Sequence, residues 1–353
     1  MQRREVVDFL EERFPLSLSE EWDNSGLQVG HLDEPCRRVL VTLDLELQHL
    51  PLLPQLDLVI THHPLLFRPI KTIPAKTPLG RKIQALLAHN VALFSLHTPY
   101  DSAQGGLGEL LSQYLGLVSS KPLLPRGQLL KLVVFVPAGY EDKVAQAMFS
   151  AGAGKIGKYG HCSFRSRGTG TFLPEEGAQP FLGEIGREEH VEEIRLETIL
   201  PSERVDPVVR AMLAAHPYEE VAYDLYPLAN QDVRHGLGRV GELASPQTAA
   251  EILLGFSQKL GVAGPKAVVG SLERVAEKVA VCGGNGGDLV PQVLASGADF
   301  YITGEASYHR LKEAEEGGLT VALFGHAETE KPFVSHVGSL LRQAFPDLEV
   351  IEG

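Results

Sequence analysis

Apolar residues along this chain switch repeatedly between helical and strand spacing. VVDFLEERF (6–14) has the three-to-four residue period of an amphipathic helix. RVLVTLDL (38–45), LDLVIT (56–61) and VALFSL (91–96) are short β-rich runs, and the helical stretch RKIQALLAHN (81–90) leads into the last of them. A further helical pattern, LGELLSQYLG (107–116), follows a Gly-Gly pair. The same grammar returns at KVAVCGG (278–284), DLVPQVLASG (288–297), DFYIT (299–303) and VALF (321–324). Near the end, Phe333, Val337, Leu340, Leu341 and Phe345 fall on one helical face, with Pro332 placed where only the first turn tolerates it. Alternation of this kind predicts an α/β layered domain.

The middle of the chain reads differently. Residues 129–154 give strand then helix, 164–183 a Gly/Pro-punctuated hairpin, and 193–228 strand, helix, strand. That β-α-β, β-α-β order predicts a ferredoxin-like α+β insert. The expected organisation is a duplicated α/β layered metal-binding domain, its halves at 1–128 and 229–353, interrupted by an insert at 129–228.

The two flanking halves also repeat a chemical pattern. LVITHH (58–63) is followed by VALFSLHTPYD (91–101), and FYITGE (300–305) by VALFGHAETE (321–330). Each half therefore offers a strand ending in Ile-Thr, a second strand, and a His with a carboxylate four residues on. The set is His62, His63, His97, Asp101, His326 and Glu330. A catalytic zinc-type centre uses about three protein ligands plus water, so these residues outnumber one site and two metals fit better. Against this stands the rule that neighbours on an extended strand, such as His62 and His63, point to opposite faces. Imidazole and carboxylate ligands without thiolate suit zinc, iron, manganese, cobalt or nickel alike. Such a pair activates water, and if Glu330 bridges the ions, residual positive charge favours an anionic substrate.

Composition narrows the function classes. Net charge is −13, from 32 basic and 45 acidic side chains among 353 residues, which opposes non-specific binding to a phosphate backbone and gives no strong nucleic-acid signal. No apolar run approaches the ~20 residues of a membrane span, and the N-terminus lacks the uninterrupted apolar core of a signal peptide, so a cytoplasmic location without membrane contact is expected. Cys36, Cys162 and Cys282 are widely spaced, which argues against a disulfide framework or a zinc knuckle and predicts buried thiols.

Other motifs carry less. Trp22 with Asp23-Asn24-Ser25-Gly26 reads as packing plus a turn. GGNGGD (283–288) follows a strand but has neither the dinucleotide-loop spacing nor a Walker lysine. His216-Pro217-Tyr218-Glu219-Glu220 is distinctive, lies in the insert, and is assigned no catalytic role. Arg68 and Lys71, just past His62-His63, are candidates for holding phosphate.

WDNSGLQVG (22–30), DLVITHHPLLF (57–67), LHTPYDSAQGG (96–106), AHPYEEVAYDLYPL (215–228), YITGEASYH (301–309) and GHAETEK (325–331) together resemble the NIF-three-like family, the GTP cyclohydrolase I type 2 homologues. The resemblance spans the whole chain. It implies a dinuclear metal-binding protein, commonly a ring-shaped homohexamer, whose insert in longer bacterial members resembles the PII and CutA folds. Carried over by motif, the implied ligands are His62, His63, Asp101, His326 and Glu330. His97 belongs to the same motif, either on a metal or behind a ligand. Glu305 stands where the family often has Asp, and Pro99-Tyr100 where it often has Asn-Leu. Glu305 occupies the repeat position of His63 and is a candidate for proton transfer at the metal edge. Three function classes follow: a metal-dependent hydrolase of a nucleotide or related anionic heterocycle, a metal-binding protein without turnover, and a regulatory assembly whose PII-like insert senses a ligand.

Overall fold

The computed structural model describes residues 1–353, apart from the side chain of Gln231. It divides into two compact units, Met1–Arg126 with Val233–Gly353, and Gly127–Asp232. In chain order the strands are β1 (Gly26–Val29), β2 (Arg38–Thr42), β3 (Leu58–Thr61), β4 (Ala92–Ser95), β5 (Leu117–Pro137), β6 (Ser163–Phe172) and β7 (Glu189–Pro201). They continue as β8 (Tyr223–Thr248), β9 (Ala267–Val269), β10 (Val275–Cys282), β11 (Phe300–Thr303), β12 (Thr320–Leu323) and β13 (Glu349–Glu352). Among the described residues no helix is long and apolar enough to cross a membrane.

The first unit holds two mixed sets of strands. One runs in the order β1-β4-β3-β2-β13, with β2, β3 and β4 parallel and β1 antiparallel to β4. The other runs β8-β10-β11-β12-β9, with β10, β11 and β12 parallel and β9 antiparallel to β12. Parallel strands buried on both faces need apolar side chains, and β3 meets this with Leu58, Val59 and Ile60 before its buried Thr61. Leu58 and Ile60 pack into a core with Phe94, Leu107, Phe256, Ile302 and Phe333, whereas Val59 turns the other way toward Leu53 and Leu86. The closing helix, Pro332–Ala344, starts with its proline in the first turn and buries Phe333, Val337 and Leu341. Full burial of such side chains contributes about 1.5–3 kcal/mol each.

The Val-Ala-Leu-Phe strands of the two halves do not sit in the same register. Ala92 lies opposite Leu58, three residues before Thr61, while Ala322 lies opposite Ile302, one residue before Thr303. A shift of two preserves which face each side chain occupies.

The second unit follows the order β5, helix Glu141–Ser150, β6, β7, helix Val205–Ala215, β8. Its strands lie in the order β6-β7-β5-β8. Leu132, Val134 and Val136 of β5 pack under Val144 and Met148 of one helix and Val208 and Met212 of the other. The hairpin expected within 164–183 is longer. β6 pairs antiparallel with β7, Phe172 opposite Glu189, and 173–188 form the connection. Pro174 and Pro180, which cannot donate to a ladder, keep that connection out of the sheet.

Candidate metal centre

The expected ligands meet where the parallel strands end. Thr42, Thr61 and Ser95 are paired across β2, β3 and β4. Backbone bonds continue past the strands, from His62 N to Thr42 O at 3.1 Å, His63 N to Leu43 O at 2.9 Å, and Leu96 N to Thr61 O at 2.8 Å. The Thr61 hydroxyl donates to His63 O at 2.8 Å. His62 and His63 therefore lie in a bend beyond the strand, where alternation no longer applies. Their rings come together with centroids 5.1 Å apart instead of facing opposite sides of the sheet.

Asp101 sits in the short helix Thr98–Ser102 and Glu330 closes the short helix His326–Glu330. His62 Nε2 lies 3.6 Å from Asp101 Oδ1 and 3.7 Å from Glu330 Oε1. His326 Nε2 is 3.2 Å from Glu330 Oε1, and His63 Nε2 is 2.9 Å from Glu330 Oε2. The two oxygens of Glu330 thus face different imidazoles. Among the described residues, His62 Nε2 and Asp101 Oδ1 are buried without any hydrogen-bond partner. Two groups at this site, His62-His63-His97 and His63-His326-Glu330, have ligand atoms close enough to hold a metal ion. Orphaned polar atoms in a buried site cost free energy unless something fills the gap, and a cation among nitrogen and carboxylate oxygens does so. The residues fit such a group.

The outer nitrogens of all four imidazoles are tied. His62 Nδ1 donates to Leu96 O at 3.0 Å, and His63 Nδ1 to Asp44 Oδ2 at 3.0 Å. His97 Nδ1 donates to Asp23 Oδ1 at 2.8 Å, and His326 Nδ1 to Glu305 Oε2 at 3.2 Å. This arrangement fixes the tautomer that leaves Nε2 for the interior, as in carboxylate–histidine–metal triads. Glu305 therefore acts on His326 through its far nitrogen. His97 joins the group of three imidazoles while its ring is held from behind by Asp23.

The ionisation of these groups reflects their crowding. Burial disfavours charge on His63, but hydrogen bonds to Asp44 and Glu330 outweigh it and raise its pKa to about 10. Its bond to Glu330 raises His326 to about 9. Burial opposes ionisation of Glu330 too, yet the field of His62 and bonds from His326 and His63 hold it far below the carboxylate range. Asp101, without such bonds, is pushed up by burial. At Asp23, hydrogen bonds from His97, Thr98 and Ser25 overcome burial and hold the carboxyl well below its ordinary value.

Several contributors escape a reading of sequence alone. Asp23 looked like turn chemistry, and Asp44 lay inside an apolar run. A signal for Asp44 exists in register: Asp44, His63 and His97 each follow the paired residues Thr42, Thr61 and Ser95 by two positions. The glycine run 283–288 also has a role. Gly284 has φ +59°, and a Cβ there would collide with Glu330 Oε1, so only glycine leaves room for that carboxylate. Trp22 is not packed inside. It is 58% exposed, and with Phe67, His63, His97, Asp101, His326 and Glu330 it lines a cavity of about 630 Å³. Arg68 and Lys71 lie in an exposed loop and are not among the residues lining that cavity. Cys282 lines the cavity wall, with burial pushing its thiol up to about 12. Cys36 is also buried, Cys162 is half-buried, and all three are free thiols.

Comparison with known proteins now bears on this geometry. The family model described as Duf34/NIF3 (NGG1p interacting factor 3) matches residues 1–352. A Bacillus subtilis protein named GTP cyclohydrolase 1 type 2 homolog is 41% identical over 327 residues, covering 92% of this chain and 87% of its own. A homologue of the same name from Mycobacterium tuberculosis is 35% identical over 350 residues, covering 97% and 91%. Among solved structures, a Bacillus cereus protein related to NIF3 superposes with a TM-score of 0.88 at 38% identity, covering 100% of this chain and 96% of its own.

Proposed function

The chain belongs to the Duf34/NIF3 family, and on that footing we propose that it holds two divalent metal ions and hydrolyses a nucleotide or related anionic heterocycle. The observation that carries the reading is the pair of orphaned buried atoms, His62 Nε2 and Asp101 Oδ1, 3.6 Å apart, with Glu330 Oε1 3.7 Å from the imidazole and its second oxygen on His63. His62, Asp101 and Glu330 Oε1 would hold one ion; His63, His326 and Glu330 would hold the other, with His97 beside them.

A divalent pair supplies Lewis-acid polarisation and makes water a nucleophile near neutral pH. The chain's own residues supply the rest. Asp23, Asp44, Glu305 and the Leu96 carbonyl orient the imidazoles, and the Phe333 ring, 5.0 Å from His62, keeps water from the inner edge. Trp22 and Phe67, with ring centroids 6.0 Å apart at the cavity, offer flat faces to a heterocycle. The relatives' name points to GTP as the first nucleotide to try.

The finer architecture enters the same reading. Two matching sets of three parallel strands, each with an antiparallel strand on its last member, support a duplicated domain. The order β6-β7-β5-β8 with two helices on one core supports a ferredoxin-like insert over 129–228. A homohexamer is the assembly proposed, and light scattering of purified protein tests it.

For turnover, GTP and other nucleotides are incubated with metal-loaded wild type and His326→Ala. Release of product above the variant supports hydrolysis. No difference moves the reading to a metal-binding or regulatory protein, which a separate cavity in the insert favours.

A further inference from the structure

The insert has a cavity of about 450 Å³, lined from 170–182 and 218–222 together with Phe135 and Glu193. That volume lies within the range of sites for small organic ligands. Glu193 is 8% exposed. Its Oε1 accepts a hydrogen bond from the Tyr218 hydroxyl at 3.0 Å, while Oε2 stands in the space left by Gly170. A carboxylate set in the wall of a mostly apolar cavity is a counter-ion for a cation that enters it.

The walls indicate which. Tyr218 has Phe172 at 6.1 Å and Phe181 at 6.2 Å between ring centroids, so three aromatic rings stand around the carboxylate. Glu175, Glu219 and Glu220 also line the cavity, and no Lys, Arg or His is among its lining residues. Such a field rejects phosphates and carboxylates, while aromatic faces and a counter-ion attract an organic cation. We propose that the insert binds an ammonium or guanidinium head on an apolar body, held among Phe172, Phe181 and Tyr218 with Glu193 as its counter-ion.

The His-Pro-Tyr-Glu-Glu motif then has a purpose. His216 Nε2 donates to Phe135 O at 3.0 Å, and its Nδ1 accepts from Tyr218 N at 3.1 Å, which fixes the Tyr218 backbone. Glu219 Oε1 accepts from Gln179 N at 2.7 Å and ties down the connection that carries Phe181. Gly170 leaves the space that Glu193 occupies, because a Cβ there would collide with the carboxylate.

The site does not depend on the metal centre, and its test is separate. Full-length protein is titrated calorimetrically with agmatine, with a Gly-Arg-Gly tripeptide blocked at both ends, and with neutral butylurea. Saturable binding of agmatine alone supports a free small cation as ligand. Binding of the tripeptide as well supports a cationic side chain on a polypeptide. In either case Glu193→Gln weakens binding about tenfold or more. Phe181→Ala, at a residue 45% exposed and so tolerant of truncation, also weakens it while leaving the melting temperature and metal content unchanged. Absence of saturable binding by both cations overturns the proposal, as does butylurea binding as tightly as agmatine or Glu193→Gln binding as tightly as wild type.

Discussion

Two histidines reach the same oxygen of Glu330 from unlike surroundings. The side chain of His62 is fully buried, packed on Phe333 and Tyr100, with its outer nitrogen on a backbone carbonyl that cannot move away. The side chain of His326 is 36% exposed, and its outer nitrogen rests on Glu305, itself 59% exposed. The buried side is therefore set by the core, and the open side by a side-chain bond at the surface. A metal held at the first should be retained. One held at the second should exchange and be open to substrate.

The largest effect that would sharpen this contrast is at the shared carboxylate. Glu330→Ala should abolish binding at both positions, read by metal analysis after dialysis; retention of one full equivalent would mean that the two sides do not share Glu330. Next comes pH. In the metal-free protein His63 titrates at about 10 and His326 at about 9, so both are protonated at pH 7 and must lose a proton to bind metal. Affinity at the open side should rise with pH by up to about tenfold per unit for each proton released, and level off above those values. Calorimetry in buffers of different ionisation enthalpy counts the protons, and no uptake by buffer at pH 7 would contradict the assignment.

Smaller changes are expected from the residues behind the ligands. Asp23→Asn and Glu305→Gln should each lower metal affinity or activity by about 10–100-fold, because they loosen a ring without removing it. Of the two, Glu305→Gln should affect only the readily exchanging ion, a difference that competition with a chelating dye measures. The smallest effect concerns the insert. Every proposed ligand lies outside 129–228, so replacing that segment by a short linker should leave metal content unchanged in protein that remains folded.

What could be read in the sequence follows from where the information is stored. The β3 and β11 strands are short and apolar because both faces are covered, and His62, His63, His326 and Glu330 stand beside them in repeated motifs. Asp23 and Asp44 reach imidazoles 74 and 19 residues away, through strand pairing that a local pattern does not encode. The convergence of His62 and His63 was hidden for another reason: strand alternation fails one residue after Thr61, and only the ladder shows where β3 stops. Trp22 resembled a core residue by type, since hydrophobicity does not tell a cavity rim from an interior. The long connection 173–188 displaced β7 beyond the expected hairpin because its prolines mimic a turn signal.

The inequality of the two sides is tested most directly by counting and releasing metal from the wild-type protein. Elemental analysis of fully loaded protein should give two ions per chain, and a chelator in excess should remove them in two kinetic phases of equal amplitude, the fast one lost in His326→Ala and the slow one lost in His62→Ala. One ion per chain at full loading, or two ions leaving in a single phase, would contradict the account.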